Sequence, residues 1–418
     1  KFLYTGKETK ACIDEGGSGV YESKFHGTFN SMTEICIHKD KFIAIWLNHA
    51  FDENGPGQRM LARVGTIKNG GANIDWGGEE TVVEVAPAVV PVRRRTRTHD
   101  PKIANFVFLW GRALNLNGRL YMHTEAVAVD GFLKYFNKRV IPRGKYAPAD
   151  AYYEKFGAHK MVGDAYFDLG VSFFQEWKVK GNTIVPASPM YRRGPEIPTR
   201  IQVTKGRFKT LPKFNKAFRD ALPLSEAPKQ FRDDLSRGKR TGSPLSNSIA
   251  YGTAKNKFIS IEGDSNIMHQ SAFLRRDGAQ VVIRDRLGGG GFAYSHVGKD
   301  KNAIVGPASR TNIVHMTQPA AGTLPNGWSW IVCNTRSRYE MYLILSRDGK
   351  VFDRTWNLLT YEAESDRGIM KKGGPQHIRA YTINDTIWIL FETTKMRPAI
   401  MKIPINELIK EANYPDPD

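Results

Sequence analysis

Short hairpin signals recur along almost the whole length of this 418-residue chain. Residues that tolerate a positive φ stand between short runs rich in Ile, Val, Phe, Tyr and Trp, as in the segment "ALNLNGRLYMH". This combination is the strongest short-range signal for a β-hairpin. The predicted turns are His38–Lys41, Asn117–Gly118, Gly181–Asn182, Lys255–Asn256, Asp277–Gly278, Asp348–Gly349 and Asn384–Asp385.

Repeated antiparallel hairpins must protect their edge strands, and closure or radial repetition of the sheets achieves this. The pattern therefore predicts an all-β fold, a seven-bladed β-propeller, with six blades as the alternative, at roughly 60 residues per blade. We expect one domain over residues 1–418, with insertions near 128–160 and 208–243. The second insertion has a partly helical pattern, and loops this long often form the lid or wall of a site.

The last third of the chain is the most regular part, with three successive strand–turn–strand units. The third unit ends one strand short, so we expect residues Phe2–Thr5 to complete the last blade and close the ring. Each unit begins with a histidine: His269, His315 and His377. First strands line the channel of a propeller, and these imidazoles are therefore expected to meet at one mouth.

The chain is strongly basic, with 61 Lys and Arg against 42 Asp and Glu and a formal net charge of +19. A field of this sign attracts polyanions, such as nucleic acid, an anionic membrane or an acidic polysaccharide. The basic residues are scattered and no nucleic-acid module is recognisable, which disfavours nucleic acid as a partner. No apolar run is long enough to span a bilayer. An acidic polysaccharide, an anionic membrane surface and a solvated basic surface without a partner all stay open on charge alone.

Cysteines are few, at Cys12, Cys36 and Cys333. No CxxC pair is present, which excludes a zinc ribbon or a thioredoxin-like site. The sparse count is typical of a bacterial protein that does not depend on disulfides. The chain begins at Lys1 without a signal sequence, and we expect a secreted or periplasmic protein whose signal peptide has been removed.

Three residues of the central stretch carry the chemistry of a β-elimination: His123 in "YMHTEA", Tyr191 in "MYRRG" and Arg207 in "KGRF". Removing the C5 proton of a uronate requires a cation that counters the adjacent carboxylate, and arginine suits this because it is always charged and bidentate. Histidine transfers protons near neutral pH. A tyrosine hydroxyl protonates the leaving oxygen, and neighbouring cations that lower its pKa would let it accept a proton as well.

This chemistry needs no metal and no cofactor. Glycoside hydrolysis would instead need two positioned carboxylates. Carboxylates exist at Glu125, Asp164, Glu262 and Asp264, but no motif pairs them.

At these motifs the chain resembles the ulvan-lyase-type, seven-bladed β-propeller polysaccharide lyases. The resemblance implies that Tyr191 protonates the leaving oxygen and that Arg207 neutralises the uronate carboxylate. It implies a role in proton abstraction for His123, with His99 as the second imidazole. It further implies an exported bacterial enzyme that acts on a sulfated algal polysaccharide. Some members carry a structural metal ion, for which His315, Cys333 and His377 are the candidate ligands here.

Four further residues are candidates for contacts with the substrate: His269, Arg112, Asn247 and Arg193. Arg112 follows the apolar strand end in "FLWGRALN", and His269 precedes the strand "QSAFLRR".

A second resemblance competes with the first. The segment "LILSRDGKVF" is similar to the Asp-box hairpin of sialidase-like propellers, a structural turn that supports the propeller fold without indicating an activity. The leading interpretation is a polysaccharide lyase that acts by β-elimination and gives unsaturated uronyl products. The alternatives are a sialidase-like glycoside hydrolase and a non-catalytic carbohydrate-binding propeller.

Overall fold

Hairpins are the building units of the chain in a computed structural model, which is all-β with almost entirely antiparallel sheets. The structure describes residues 29–49, 59–77, 82–86, 105–129, 166–194, 200–203, 207–210, 218, 220–237, 270–285, 291–297, 308–335, 337–361, 374–393 and 397–414.

The described strands are β1 (Phe29–His38), β2 (Lys41–His49), β3 (Arg59–Lys68), β4 (Asn73–Asp75), β5 (Val82–Ala86), β6 (Asn105–Leu116), β7 (Arg119–Val129), β8 (Tyr166–Lys180), β9 (Thr183–Pro186), β10 (Tyr191–Arg193), β11 (Arg200–Val203), β12 (Arg207–Thr210), β13 (Leu222–Pro223), β14 (Gln270–Leu274), β15 (Gln280–Arg284), β16 (Phe292–Val297), β17 (Ala308–Val314), β18 (Met316–Thr323), β19 (Ser329–Thr335), β20 (Glu340–Ser346), β21 (Arg354–Thr360), β22 (Pro375–Ile383), β23 (Thr386–Thr393) and β24 (Arg397–Pro404). The helices are α1 (Lys229–Arg237) and α2 (Ile405–Ala412).

The chain divides into two compact units. The N-terminal unit comprises Tyr4–Gly65 and Trp76–Thr241, and the C-terminal unit comprises Lys1–Leu3, Thr66–Asp75 and Gly242–Asp418.

In the N-terminal unit, one sheet has the order β1-β2-β3 with β5 on β3, and a second has the order β13-β10-β8-β7-β6 with β9 on β8. In the C-terminal unit, the sheets are β14-β15-β16-β17, β18-β19-β20-β21 and β22-β23-β24. Within each unit the first strands of successive sheets lie against each other: β1 against β6, and β18 against both β14 and β22.

Six of the seven predicted turns are confirmed as hairpin turns of the described sheets. Between β6 and β7, Asn117 and Gly118 take the positive φ values of 49° and 76° that such a turn requires. Asn384 does the same between β22 and β23, with a φ of 47°. The seventh turn, Lys255–Asn256, lies outside the described residues.

A bulge interrupts the first strand of four sheets, namely β1, β6, β18 and β22. In three of them a residue other than glycine has a positive φ: Met32 at 56°, Gln318 at 50° and His377 at 47°. A bulge bends its strand and redirects a side chain. These bulges therefore set the direction of polar residues near the start of β18 and β22.

The apolar core of each unit lies between its sheets. In the N-terminal unit, Ile43 and Met60 of the first sheet share a buried cluster with Met122 and Phe173 of the second. In the C-terminal unit, β19 is buried on both faces, because Trp330 belongs to one apolar cluster and its neighbour Ile331 to another. Successive residues of a strand point to opposite faces, so the sheet β18–β21 contributes to two cores.

The Asp-box segment forms a closed turn between β20 and β21. Asp348 accepts hydrogen bonds from the N–H groups of Lys350 at 2.8 Å and Val351 at 3.0 Å, and Ser346 accepts one from Gly349 at 2.9 Å. Burial opposes ionisation of Asp348, but these N–H donors outweigh it and lower the pKa of its carboxyl. The turn is structural, as the motif predicts.

The sheet β22–β24 has three described strands, which confirms that the last unit ends one strand short. The segment proposed to complete it, Phe2–Thr5, lies outside the described residues, so ring closure and the number of blades stay predictions. A single domain over residues 1–418 also stays a prediction. Most of the insertion at 128–160 lies outside the described residues, whereas α1 confirms helical structure within 208–243. No helix in the described ranges is long and apolar enough to cross a membrane.

Candidate functional site

Three of the predicted site residues and one aromatic ring form a single row across the second sheet of the N-terminal unit. Arg112 on β6 pairs with His123 on β7, His123 pairs with Phe174 on β8, and Phe174 pairs with Tyr191 on β10. Directly paired residues of neighbouring strands project on the same face of a sheet. The sheet therefore brings together an arginine, an imidazole and a phenol that lie far apart in the sequence.

Phe174 is the centre of this row. The imidazole of His123 stacks on the Phe174 ring, with 4.7 Å between the ring centres and 19° between the planes. On β10, two residues beyond Tyr191, the guanidinium of Arg193 lies 5.1 Å from the centre of the same ring. Such cation–π contacts hold an arginine in place without neutralising its charge. Arg112, His123, Phe174, Tyr191 and Arg193 are called the Phe174 patch below.

The residues of the Phe174 patch differ in their exposure to solvent. Tyr191 and Arg112 are only 5% and 6% exposed, whereas His123 is half-buried and Arg193 is exposed. The ring of Tyr191 packs edge-on against Phe231 of α1, with 4.9 Å between the ring centres. Solvent therefore reaches the patch at His123 and Arg193, and the proton-transfer role of Tyr191 stays a prediction.

Beside the patch, the same face carries a polar network around a buried carboxylate and a buried phenol, Asp234 and Tyr121, which no sequence motif indicates. The carboxylate of Asp234 on α1 accepts hydrogen bonds from the Tyr121 hydroxyl at 2.5 Å and from the side-chain amides of Asn117 and Gln230, both at 2.8 Å. A guanidinium nitrogen of Arg119 lies 3.8 Å from the same carboxylate. We call these five residues the Asp234 network.

In the Asp234 network the Tyr121 hydroxyl keeps its proton and the Asp234 carboxyl is ionised. Burial raises the pKa of the Tyr121 hydroxyl, and the hydrogen bond to Asp234 raises it further. Burial opposes ionisation of Asp234, but the hydrogen bonds from Tyr121, Asn117 and Gln230 outweigh it and lower the pKa of that carboxyl. At neutral pH the phenol donates and the carboxylate accepts, so the network fastens α1 to the sheet.

Glu176 on β8, which pairs with Tyr121, is a second carboxylate of this face. It accepts two hydrogen bonds from the guanidinium of Arg119, at 3.0 Å and 2.7 Å. Both Glu176 and Asp234 are thus engaged by donors of the protein. Neither has the open position that the general acid or the nucleophile of a glycoside hydrolase needs.

A second polar cluster lies in the C-terminal unit, where the bulges of β18 and β22 meet. The backbone N–H of His377 donates to the side-chain oxygen of Gln318 at 2.9 Å, and the backbone N–H of Gln318 donates to Asp285 at 3.2 Å. Nδ1 of His377 lies 2.7 Å from a carboxylate oxygen of Glu392 on β23. Asp285, Gln318, His377 and Glu392, the His377 cluster, connect three sheets of the unit.

The His377 cluster holds the imidazole of His377 in one orientation. The Glu392 side chain is fully buried, whereas the His377 side chain is 18% exposed. A carboxylate bound to one ring nitrogen fixes the tautomer and orientation of an imidazole, as it does in catalytic triads. The sequence predicts His377 only as a channel residue and metal candidate, and the contacts with Glu392 and Gln318 come from the structure. The signal was available, because a charged residue inside an apolar strand run such as "IWILFET" is rarely buried without a partner.

The proposed metal ligands do not come together. His315 is exposed at the junction of β17 and β18, and Cys333 is buried in an apolar cluster. Burial, with a further contribution from Asp285, raises the pKa of the Cys333 thiol to about 12, which disfavours the thiolate that binds metals. Within the described ranges, no group of three or more His, Cys, Asp or Glu side chains is arranged to hold a metal ion. His315, Cys333 and His377 therefore do not form one site.

Four predicted residues cannot be placed in either arrangement. His99, Asn247 and His269 lie outside the described residues. Arg207 begins β12 and pairs with Val203 of β11, but its side chain is outside the described part of the chain. Their roles stay predictions.

Comparison with known proteins indicates the fold. No protein-family model matches the chain, and no curated protein matches its sequence. Among solved structures it is similar to a sialidase, with a TM-score of 0.53 and 14% identity over 97% of this chain and 32% of that one. It also matches a Trypanosoma rangeli sialidase in complex with the inhibitor DANA (TM-score 0.44, 10% identity, 93% of this chain and 58% of that one). A third match is the Hadza microbial sialidase Hz136 (TM-score 0.44, 10% identity, 91% and 67%).

The first likeness carries the assignment of fold class. The chain is an all-β protein whose fold resembles that of a sialidase, and sialidases are β-propellers. It spans about a third of the length of the sialidase that it matches best among these three. At 14% identity the likeness concerns the fold alone.

Proposed function

We propose that the protein is a polysaccharide lyase that cleaves a uronate-containing, anionic and ulvan-like polysaccharide by β-elimination at the Phe174 patch. One observation carries the proposal: His123 and Tyr191 lie in one row on one face, on either side of Phe174, and Arg112 and Arg193 adjoin them. Two strand spacings, about 10 Å, separate the backbones of His123 and Tyr191. A saccharide bound at the solvent-facing edge of the patch would contact His123 and Arg193 and would reach Tyr191 once the cover of α1 opens.

Each residue has a defined part in the proposed reaction. Arg193, with Arg112 and the predicted Arg207, counters the charge of the uronate carboxylate and so makes the C5 proton acidic. His123 accepts that proton, and the electrons of the C5–H bond form the C4–C5 double bond. The bond between C4 and O4 breaks, and the Tyr191 hydroxyl protonates O4. Because Tyr191 is buried, this step requires the edge between β10 and α1 to open.

Two alternative functions remain. The likeness in fold supports a sialidase-like glycoside hydrolase, and the basic charge supports a non-catalytic carbohydrate-binding protein. Hydrolysis is disfavoured by the engagement of Glu176 and Asp234 with Arg119 and Tyr121. An acidic algal polymer is too large to enter a cell, so the proposed enzyme works in a secreted or periplasmic location.

Incubation with ulvan, alginate, chondroitin sulfate and heparin separates the three functions. A lyase generates reducing ends together with the ultraviolet absorbance of a conjugated uronate. A hydrolase generates reducing ends without this absorbance, and a binding protein generates neither. Absence of the absorbance on every uronate polymer would contradict the proposal.

Variants of β10 test the site itself. Arg193→Ala should lower the rate about 10²–10³-fold, as expected for loss of a preorganised charge. Arg192→Ala is the matched control, because it removes the same charge from the adjacent position, which points to the other face. Tyr191→Phe should abolish turnover and leave binding intact. Equal losses for Arg192→Ala and Arg193→Ala would move the reaction away from this face.

We also propose that the sheets are blades of a seven-bladed propeller, closed by pairing of Phe2–Thr5 with the sheet β22–β24. Deletion of residues 1–10 should then lower the melting temperature sharply. An unchanged melting temperature would show that this segment does not stabilise the fold.

A further inference from the structure

A cavity of about 390 Å³ opens at the turn end of the N-terminal unit. It is bounded by the β1–β2 turn, the β6–β7 turn and the last residues of β8. Its volume lies in the range of pockets that hold small molecules, which is about 300–1,000 Å³. His123 does not line it and lies four residues along β7 from Arg119, or about 13 Å along the strand. The cavity is therefore separate from the Phe174 patch.

Positive charge dominates its lining. Lys39, Lys41, Arg119 and Lys178 face only two carboxylates, those of Asp40 and Glu176. Asp40 pairs with Lys41 at 3.3 Å, and Glu176 pairs with Arg119 at 2.7 Å. Lys39 and Lys178 are exposed and have no ion pair within the described part of the chain. Two ammonium charges are thus left for a ligand.

The wall of the cavity has an apolar part as well. Trp177, which is 6% exposed, lines it together with Leu120 and Val179. An apolar wall beside unpaired ammonium groups suits a sugar that bears an acidic group.

We infer that this cavity binds the sulfate ester or carboxylate of an acidic saccharide and holds the polymer at a point remote from its cleavage. Lys39 and Lys178 contact the anionic group, and the sugar lies against the apolar wall formed by Leu120, Trp177 and Val179. Arg119 is held in place by Glu176 and contributes positive potential. The choice of saccharide over other anions rests on the proposed function.

Calorimetric titration of the full chain tests the inference with a sulfated uronic-acid disaccharide, its desulfated form and inorganic sulfate as probes. The double variant Lys39→Gln/Lys178→Gln should bind the sulfated disaccharide about tenfold more weakly or worse, because it loses two charge-assisted contacts. Lys180→Gln is the matched control: Lys180 is exposed on the same strand but does not line the cavity. It should change the affinity by less than about twofold.

Each contrary outcome has a clear meaning. Unchanged affinity in the double variant, or an equal loss in Lys180→Gln, would show attraction by the general positive field and overturn the site. Inorganic sulfate or a short single-stranded nucleic acid that binds as tightly through the same lysines would overturn the saccharide as the ligand.

Failure of this site and failure of the lyase are distinguishable. Tyr191→Phe should abolish turnover and leave binding of the disaccharide at the cavity intact. Lys39→Gln/Lys178→Gln should raise KM for the polymer and leave the rate on short oligosaccharides unchanged. If no polymer is cleaved, the calorimetric comparison still decides whether the cavity binds acidic sugars.

Discussion

Each unit of the molecule contains a fully buried carboxylate that is bound to a ring, Asp234 in the N-terminal unit and Glu392 in the C-terminal unit. Asp234 accepts from the Tyr121 hydroxyl at 2.5 Å, and Glu392 lies 2.7 Å from Nδ1 of His377. The phenol is fully buried, whereas the imidazole side chain is 18% exposed. The two acids are alike, and the access of solvent to the ring is what separates them.

Access of solvent to the bound ring therefore distinguishes a structural acid from a candidate functional one. Asp234 has two amide donors besides Tyr121, and all of its ligands belong to α1 or to the sheet below it. Changing its charge would disturb only the attachment of the helix. Glu392 instead binds a ring whose side chain is 18% exposed, at a strained bulge with a φ of 47°. Such strain is concentrated at functional sites.

The largest expected effect is on the Asp234 side of the comparison. Asp234→Ala leaves the buried Tyr121 hydroxyl without its acceptor, whereas the exposed amides of Asn117 and Gln230 can bind water, so the change should cost about 1–3 kcal/mol in the free energy of unfolding. Urea denaturation measures this value. The control is Asp233→Ala, one residue earlier on α1, where a partly exposed pair with Lys229 is worth about 0.3–0.5 kcal/mol. Similar losses in both variants would show that helix charge, and not the buried network, stabilises the unit.

The Asp234 network should also make stability depend on pH at both extremes. The folded pKa of Asp234 is lowered, so its contribution is present above the pKa of the unfolded chain and is lost as the pH falls through the folded value, below about pH 4. The folded pKa of Tyr121 is raised, so its contribution is complete below the unfolded value of about 10 and is lost as the pH rises towards the folded value.

Urea midpoints measured across the pH range would reveal both losses. Tyr121→Phe should remove the alkaline loss and weaken the acid one, because its ring still packs on Phe231 while the hydroxyl is gone. An alkaline loss that persists in this variant would assign it to another group.

In the C-terminal unit, a conservative change of Glu392 should alter the tautomer of the His377 ring more than the stability of the fold. Glu392→Gln keeps the shape and retains one hydrogen bond to His377, so its cost should be about 1 kcal/mol. An ionised carboxylate only accepts, which places the hydrogen of the ring on Nδ1, whereas an amide can also donate. Nitrogen-15 chemical shifts of the His377 ring should therefore show a changed tautomer ratio. An unchanged ratio would mean that Glu392 does not control the imidazole.

The smallest effect concerns Cys36 of the N-terminal unit and Cys333 of the C-terminal unit, both of which are buried. Burial holds Cys333 as a neutral thiol, so iodoacetamide should modify neither residue in the native protein. Peptide mass spectrometry in increasing urea would then show which unit opens first. Modification of both at the same urea concentration would show that the units unfold together.

Hairpins and fold class could be predicted from the sequence because they depend on neighbouring residues. Asn117-Gly118 and Asn384-Asp385 carry the positive φ of a turn in their own side chains, and alternation marks the flanking strands. The bulges of β1 and β18 could not be predicted, since Met32 and Gln318 are residue types that seldom adopt a positive φ. Packing between sheets imposes that conformation on them.

The sequence alone predicts an all-β chain of hairpins with a basic character. It also supplies the chemistry of His123, Tyr191 and Arg193. All of these are local properties. Only the tertiary structure placed Phe174 between the imidazole and the phenol, because strand register decides which distant residues face each other. It alone gave Asp234 and Glu392 their partners and separated His315 and Cys333 from His377. Register and packing join positions far apart in the chain, and no local pattern records which ones will meet.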